Sequence, residues 1–407
     1  MNYGEALDWL YGTQQFGIKL GLEAPKRLLA EFLAFPTRET KVIHVAGTNG
    51  KGSTCAMMEA LARATGRRTG LFTSPHLVDF CERAQINRRS IPAEKAALLL
   101  TQLKDLVAGW ETHPTFFEIT LALAMRHFRD EGCDLIILET GMGGRLDATT
   151  AVPADVCVLT PIGMDHTKWL GETLGEIAAE KVAIACRAKP LISAGQELEA
   201  RVVIESHANE KRAPLTFVTE PLLGYPIALA GSHQKLNAAL ATEALHALGM
   251  PLTYDTVMAG LSGVSWPGRF EIFDLPGRAG RLVLDAAHNP HAAGSLAATF
   301  QDEFPGERAN LIFGAVEDKD VAAILEILAP LVDELHLVPV NSARGVPPGE
   351  LAKLPGLPVV KVYEDLPTAL ESTALDERPT VVTGSLFLVG EAYGLLQGCS
   401  ASRASAQ

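Results

Sequence analysis

KVIHVAGTNGKGST, residues 41–54, decides how this chain folds. Four of its first six residues, Val42, Ile43, Val45 and Ala46, are apolar, the pattern of a short strand buried on both faces. Gly47-Thr48-Asn49-Gly50-Lys51-Gly52-Ser53 follows at once, and a helical pattern runs from Thr54 to about Thr65. Strand, glycine loop, helix is the context in which backbone N–H groups close around phosphate oxygens and a helix N-terminus favours their charge. Lys51 would neutralise the β and γ phosphates, and Ser53 or Thr54 offers a hydroxyl to phosphate or metal. The spacing departs from G-x-x-x-x-G-K-[ST]: the first glycine stands three residues before Gly50, and Gly52 intervenes before Ser53. Taken alone, the loop also fits a plain glycine-rich turn.

The same rhythm extends outward. Short apolar runs at Arg68–Phe72, Asp134–Leu138, Val156–Leu159 and Pro190–Ser193 alternate with helical patterns such as Glu94–Val107 and Phe117–Arg129. Strands buried on both faces and separated by helices predict a parallel sheet. Residues 1–35 read as helical. After about residue 275 the rhythm restarts, with strands expected at 281–285, 310–314, 334–338, 358–362 and 380–384. The joint WPGRFEIFDLPGRAG (266–280) is rich in glycine and proline. The expected fold class is therefore α/β in two domains, 1–274 and 275–407, each a mainly parallel sheet flanked by helices: a P-loop ATPase-like N-terminal domain and a smaller Rossmann-like C-terminal domain. The tail GCSASRASAQ reads as a frayed end.

With 407 residues, both cores can be large enough to need neither disulfide nor structural metal. The charge, 35 Lys and Arg against 48 Asp and Glu, is −13, which argues against gripping nucleic acid or an anionic membrane by bulk charge. No stretch approaches the roughly 20 apolar residues of a membrane span. The start, MNYGEALDWLYG, lacks a signal pattern, so a cytoplasmic protein is expected. Cys55, Cys81, Cys133, Cys157, Cys186 and Cys399 are scattered without a C-x-x-C pair. Neither a zinc site nor a disulfide framework is suggested, and several sit in apolar runs as small buried hydrophobes.

In an open parallel sheet, ligands bind at the carboxyl ends of the strands. Ser74 follows RRTGLFT, Glu139 follows DLIIL, and His166 follows VCVLTPIGMD. A hydroxyl, a carboxylate and an imidazole beside a triphosphate make a magnesium site conceivable, although magnesium prefers oxygen ligands and retains water. Each also has an ordinary reading: Ser74 as a helix cap before Pro75, Glu139 as the partner of Arg145, His166 as a satisfied loop histidine. Lys181, in the Ala-rich helix LGEIAAEKVAIA, reads from composition as a solvated lysine.

Taken together, these motifs resemble one family. FGIKLGLE (16–23), HVAGTNGKGS (44–53), TSPHL (73–77), CERAQIN (81–87), TFFEIT (115–120), ETGMGGRLDAT (139–149), GMDHTKWLGETLGEIAAEK (163–181), GSHQKLNAALA (231–241), WPGRFE (266–271), LDAAHNPHA (284–292), DKD (318–320) and VTGSLFLVGE (382–391) are similar to folylpolyglutamate synthase, including the bacterial form that doubles as dihydrofolate synthase, within the Mur ligase superfamily. The resemblance spans nearly the whole chain. It implies an ATP-dependent ligase that adds L-glutamate to dihydropteroate, to folates, or to both, through an acyl phosphate. It implies that Gly47–Ser53 hold the ATP phosphates and that Ser74, Glu139 and His166 are magnesium ligands. Lys181 would be a carbamylated lysine, and two magnesium ions would be bound. Lys51, His166 and Lys181 become the expected catalytic residues. Asn237 becomes an adenine-side contact, and Arg269 and Asp285 reach ATP from the hinge and the C-terminal domain, with His288 as a phosphate neighbour. Thr115, Phe116, Phe117 and Glu118, with Leu146, Asp147 and Ala148, become the pterin-binding stretches. The N-terminal domain would carry ATP and pterin and the C-terminal one the glutamate side. The resemblance further implies a monomer whose partners are small molecules, without nucleic acid or membrane.

Departures from the family pattern are Ala286 where glycine is usual, Val182 and Ala183 in the usual EKAGI, and Arg88 in the usual ING. None removes a polar group with an implied role. Arg88 and Arg89 add charge where an anionic folate tail would pass. Two other readings stay open: another Mur-type amino-acid ligase, and a nucleotide-binding switch that ligates nothing. The first usually carries an additional N-terminal domain, for which a phosphate loop at residue 47 leaves no room. Glu139, His166 and Lys181 argue against the second.

Overall fold

The computed structural model describes residues 1–17 and 21–398. The FGIKLGLE segment is thus described in part, and the expected frayed tail, Cys399 included, lies outside the described residues apart from Gly398. The first sheet comprises β1 (Lys41–Ala46), β2 (Thr69–Phe72), β3 (Ala84–Ile86), β4 (Arg89–Ser90), β5 (Leu135–Glu139), β6 (Val156–Leu159), β7 (Leu191–Ala194) and β8 (Leu215–Val218), in the order β4-β3-β2-β5-β1-β6-β7-β8. Neighbours from β2 to β8 are parallel; β3 and β4 add an antiparallel edge. Every residue of β2, β5, β6 and β7 is buried, which is why these strands read as continuous apolar runs rather than alternating ones. Alternate residues still serve opposite faces: Val42, Ile136, Leu138 and Cys157 pack into one core layer, Ile43, Val45, Ile137 and Val158 into the other.

The second sheet comprises β9 (Glu271–Phe273), β10 (Leu282–Leu284), β11 (Ala309–Phe313), β12 (Val332–Leu337), β13 (Val359–Val362) and β14 (Thr380–Thr383), in the order β13-β12-β11-β14-β10-β9. All its neighbours are parallel except β9. The two-sheet α/β architecture expected from the strand–helix rhythm is therefore the observed one. β9 lies ahead of residue 275 yet pairs with β10, so this sheet begins a few residues before the expected division.

The N-terminal reading needs correction. Residues 1–35 are not one helical stretch: Tyr3–Gly12 is a helix, Thr13–Phe16 a 3₁₀ turn, and Glu23–Glu31 a second helix. Gly17 and Gly21, with φ of 65° and 148°, take backbone angles that interrupt a helix.

Candidate active site

β1 lies between β5 and β6, and β2 lies beyond β5. The chain leaves β1 through the helix Lys51–Ala64 toward β2 on one side and enters β6 on the other, so strand order reverses beside β1. Crevices at such points gather the residues just past the strand ends. Ser74 comes after β2, Glu139 ends β5, Gly47 begins the loop after β1, and His166 lies beyond β6. Four segments distant in sequence are thus set side by side. The cleft they form has a volume of about 590 Å³ and is lined by every residue to which the family resemblance gave a role, from the phosphate loop to His288; Thr54, the alternative hydroxyl to Ser53, does not line it.

The loop holds its shape through glycine. Gly50, with φ 83°, is the N-cap of the helix Lys51–Ala64. A side-chain carbon there would also come 2.7 Å from Asn237 Oδ1, which places the buried Asn237 directly against the loop. At Gly47 such a carbon would fall 1.9 Å from Thr160 Oγ1. Lys51 Nζ donates to the carbonyls of Gly47 and Thr48, both at 3.1 Å, so the ammonium is held over the loop's own backbone.

Beside the loop, Ser74 N donates to Glu139 Oε2 at 3.2 Å. Ser74 caps no helix. Its Oγ is buried with no hydrogen-bond partner among the described residues, an orphan that a ligand would satisfy. Glu139 is not the partner of Arg145, which pairs with Glu180 at 2.7 Å. Burial pushes the Glu139 carboxyl above the ordinary carboxylate range, with the Lys51 charge and the Ser74 N–H working the other way. Lys181 is not solvated. It lies on the inner face of the helix Leu174–Val182 with Ile177, Ala178 and Val182, 4% exposed, and donates from Nζ to Gly47 O at 3.0 Å. Burial, seconded by Lys51, pushes its amine down to about 7. His166 adopts left-handed backbone angles (φ 51°), and burial pushes its imidazole down to about 4, leaving it neutral near pH 7. Among the described residues no three His, Cys, Asp or Glu side chains converge to cage an ion. The orphan Ser74 hydroxyl and the Glu139 carboxylate nevertheless fit magnesium, which binds through few protein oxygens and is completed by phosphate and water.

The stretches expected to take the pterin form the adjoining wall. Thr115 N-caps the helix Phe116–Asp130, its Oγ1 accepting from Glu118 N at 3.3 Å. Glu118 answers by accepting from Thr115 N at 2.6 Å, so its carboxylate is engaged in the cap. Asp147 is likewise engaged: it accepts from Met142 N, Thr149 N and the Thr149 hydroxyl, bracing the turn that carries Leu146 and Ala148. Phe117 lines the cleft beside them. Arg88 does not line it; it stacks on Trp266 and donates to Ser265 O at 2.7 Å.

The second sheet completes the enclosure from its own strand ends. Asp285 follows β10 and accepts from Phe270 N (2.9 Å) and Ala287 N (2.8 Å). Burial raises its carboxyl, and Arg269 opposes the rise. His288 Nδ1 lies 2.8 Å from Ala286 O. Two residues that carried no anticipated role also meet here: Asp165 Oδ1 accepts from Lys319 Nζ at 2.7 Å. Burial would raise Asp165, but His166, Lys319 and His288 outweigh it and hold the carboxyl below its ordinary range. DKD at 318–320 and GMDH at 163–166 were both visible motifs; that Lys319 of the one pairs with Asp165 of the other was not.

Residues 45–191 match the family model described as Mur ligase middle domain, and residues 268–386 match Mur ligase, glutamate ligase domain. The chain is 31% identical to the Bacillus subtilis dihydrofolate synthase/folylpolyglutamate synthase, covering 96% of this chain and 98% of that protein. It is 33% identical over 96% of its length to a Haloferax volcanii protein named as a probable bifunctional folylpolyglutamate synthase/dihydropteroate synthase, and spans 50% of that longer protein. Its fold matches the solved bifunctional folylpolyglutamate synthase/dihydrofolate synthase of Yersinia pestis complexed with AMPPNP and a Mn ion, at a TM-score of 0.88 and 31% identity over 98% of both chains. On this likeness, end to end in sequence and in fold, the chain belongs to the dihydrofolate synthase/folylpolyglutamate synthase family of Mur-type ligases.

Proposed function

We propose that this enzyme uses ATP to join the amino group of L-glutamate to the carboxylate of dihydropteroate, to the γ-carboxylate of a folate tail, or to both. The observation that carries the reading is one cleft in which a phosphate loop, a buried Ser74–Glu139 pair and a buried Lys181 meet. A carboxylate is a poor electrophile. Attack of its oxygen on the γ-phosphorus of ATP releases ADP and leaves an acyl phosphate. The glutamate amine then attacks the acyl carbon, phosphate departs, and loss of a proton yields the amide. Protein work in such a sequence is mostly positioning and charge neutralisation.

In this reading Gly47–Ser53 hold the phosphates and Lys51 offsets charge on the transferring group. Asn237 stands at the adenine side, and Arg269, Asp285 and His288 meet the nucleotide from the other half of the chain. Thr115–Glu118 and Leu146–Ala148 form the pterin wall; Glu118 and Asp147, engaged in their own turns, shape it through backbone and apolar groups. Divalent metal, bound at two positions, would be held by Ser74 and Glu139 and by His166 and Lys181, and would supply Lewis-acid neutralisation of phosphate charge. Lys181 suits that role as a carbamate, formed when its neutral amine adds carbon dioxide and loses a proton. An amine pushed down to about 7 is available in the neutral form this requires. Residues 1–274 would carry ATP and pterin, and 275–407 would close over them and present glutamate. The same reading has the enzyme act as a monomer in the cytoplasm on small molecules alone. The charge of −13 supports the absence of a nucleic-acid partner, and no helix among the described residues is long and apolar enough to cross a membrane.

The test is phosphate release with ATP, magnesium and L-glutamate, with dihydropteroate and tetrahydrofolate as separate acceptors and products identified by mass. A glutamyl unit added to each acceptor establishes both activities, and addition to one assigns that one. Release with neither overturns the folate reading.

A further inference from the structure

Asp165 sits at the seam between the two sheets, and its carboxylate is gripped mainly from the far side. Lys319 Nζ donates to Oδ1 at 2.7 Å, Asn289 Nδ2 donates to Oδ2 at 3.1 Å, and His288 Nε2 stands 3.9 Å from Oδ2. All three belong to the part of the chain that forms the second sheet. From its own side, Asp165 Oδ1 accepts from His166 N at 2.8 Å. The ion pair with Lys319 is withdrawn from water, the two side chains being 8% and 7% exposed.

Asn289 extends the junction. It is the N-cap of the helix Pro290–Glu303, where its Oδ1 accepts from Ala292 N. The same side chain forms a reciprocal amide pair with Asn49 of the phosphate loop: Asn49 Nδ2 donates to Asn289 Oδ1 at 3.2 Å, and Asn289 Nδ2 to Asn49 Oδ1 at 3.0 Å. Two loops of the first sheet, after β1 and after β6, are thereby tied to one helix start and one lysine of the second. A buried ion pair needs both members, because removing one strands the other charge away from water. Such a contact holds two bodies in one relative position rather than grading between many.

The geometry points to Asp165 as a positioning residue that fastens the second half of the chain over the phosphate loop and holds the cleft closed during the reaction. The species that closure protects, an acyl phosphate, rests on the ligase reading above; the fastening rests on the contacts alone. If the halves part early, water replaces the amine at the acyl carbon. The carboxylate and inorganic phosphate then form, and ATP is spent without an amide.

The experiment compares the full-length enzyme with Asp165→Asn, Lys319→Met and the double variant. It reads phosphate released per amide formed, ADP affinity, and the radius of gyration by small-angle X-ray scattering in saturating ADP. The wild type should release one phosphate per amide. Each single variant should release at least about threefold more phosphate per amide and show a larger radius of gyration, with ADP affinity within about twofold. The double variant should be no worse than the worse single, since the two residues act as one contact. One phosphate per amide in both single variants, or an unchanged radius of gyration, overturns the fastening. So does a loss of ADP affinity matching the loss of product. Lys319→Met leaves the first sheet untouched, so a folding failure of Asp165→Asn leaves the test intact. Should the wild type make no amide with any folate acceptor, the ligase reading falls, while scattering still decides the fastening.

Discussion

Gly144 presses against the end of the helix that carries Lys181: a side-chain carbon at position 144 would come 2.8 Å from the Lys181 carbonyl oxygen. The Glu180 carbonyl oxygen would be 2.7 Å away and Ile184 Cγ2 2.9 Å. The first two obstacles are backbone and cannot swing aside. Gly144→Ala should therefore displace the helix end and Lys181 with it. Misplacing a catalytic group by a fraction of an ångström costs on the order of tenfold or more in rate. We expect kcat to fall by about that much while the far-ultraviolet circular dichroism stays native. Full activity would mean that Lys181 does not need this seat.

Lys51 contributes charge more than packing, since among the described residues its ammonium bonds to the loop carbonyls of Gly47 and Thr48 alone. Lys51→Ala should abolish glutamate ligation, by roughly a thousandfold, with an unfolding midpoint close to that of the wild type. Substantial ligase activity in the variant would sink the phosphate-loop assignment.

Lys181 is predicted to depend on carbon dioxide. Enzyme held in buffer stripped of carbon dioxide should lose most of its activity and regain it on adding bicarbonate. Mass spectrometry under mild conditions should find the added carbon dioxide on the peptide containing Lys181. Lys181→Met should be inactive and indifferent to bicarbonate. A wild-type rate that ignores bicarbonate, on a peptide of unmodified mass, would count against the carbamate.

His44 governs stability rather than catalysis. It is buried in β1 with Nε2 2.7 Å from Thr149 Oγ1, and burial pushes its imidazole down to about 3. Unfolded, it titrates near the ordinary histidine value of about 6.5. Below that value the unfolded chain binds a proton that the folded one refuses, so stability is intact above about pH 6.5 and drains away as pH falls toward about 3. At about pH 5 the loss from this residue is on the order of 2 kcal/mol. Urea unfolding at a series of pH values should show it, and His44→Gln should flatten the acid limb by about that amount. An equal acid slope in both proteins would show that His44 is not the group responsible.

Much of this site could be read before the chain was folded. Ile177, Ala178, Lys181 and Val182 recur at helical spacing, so Lys181 shares a stripe with three apolar residues. That periodicity outranks the composition that made it look like a surface lysine. The break near residue 17 was signalled by Gly17 and Gly21, which a purely apolar count passes over. Gly144 could be seen as part of a glycine-rich run, but not as the floor beneath Lys181.

Local facts were legible in the residues: where strands buried on both faces lie, where the phosphate loop turns into a helix, and which polar residues come after strand ends. These depend on side-chain periodicity and backbone freedom over a few residues. Folding of the whole chain sets Ser74 beside Glu139, because β5 lies beside β2. The same long-range packing gives Arg145 to Glu180, and Asp165 to Lys319 from 154 residues away. No local pattern encodes such pairings, because each joins residues that only strand order and loop packing bring within reach, and at Asp165 and Lys319 burial then removes water as the alternative partner.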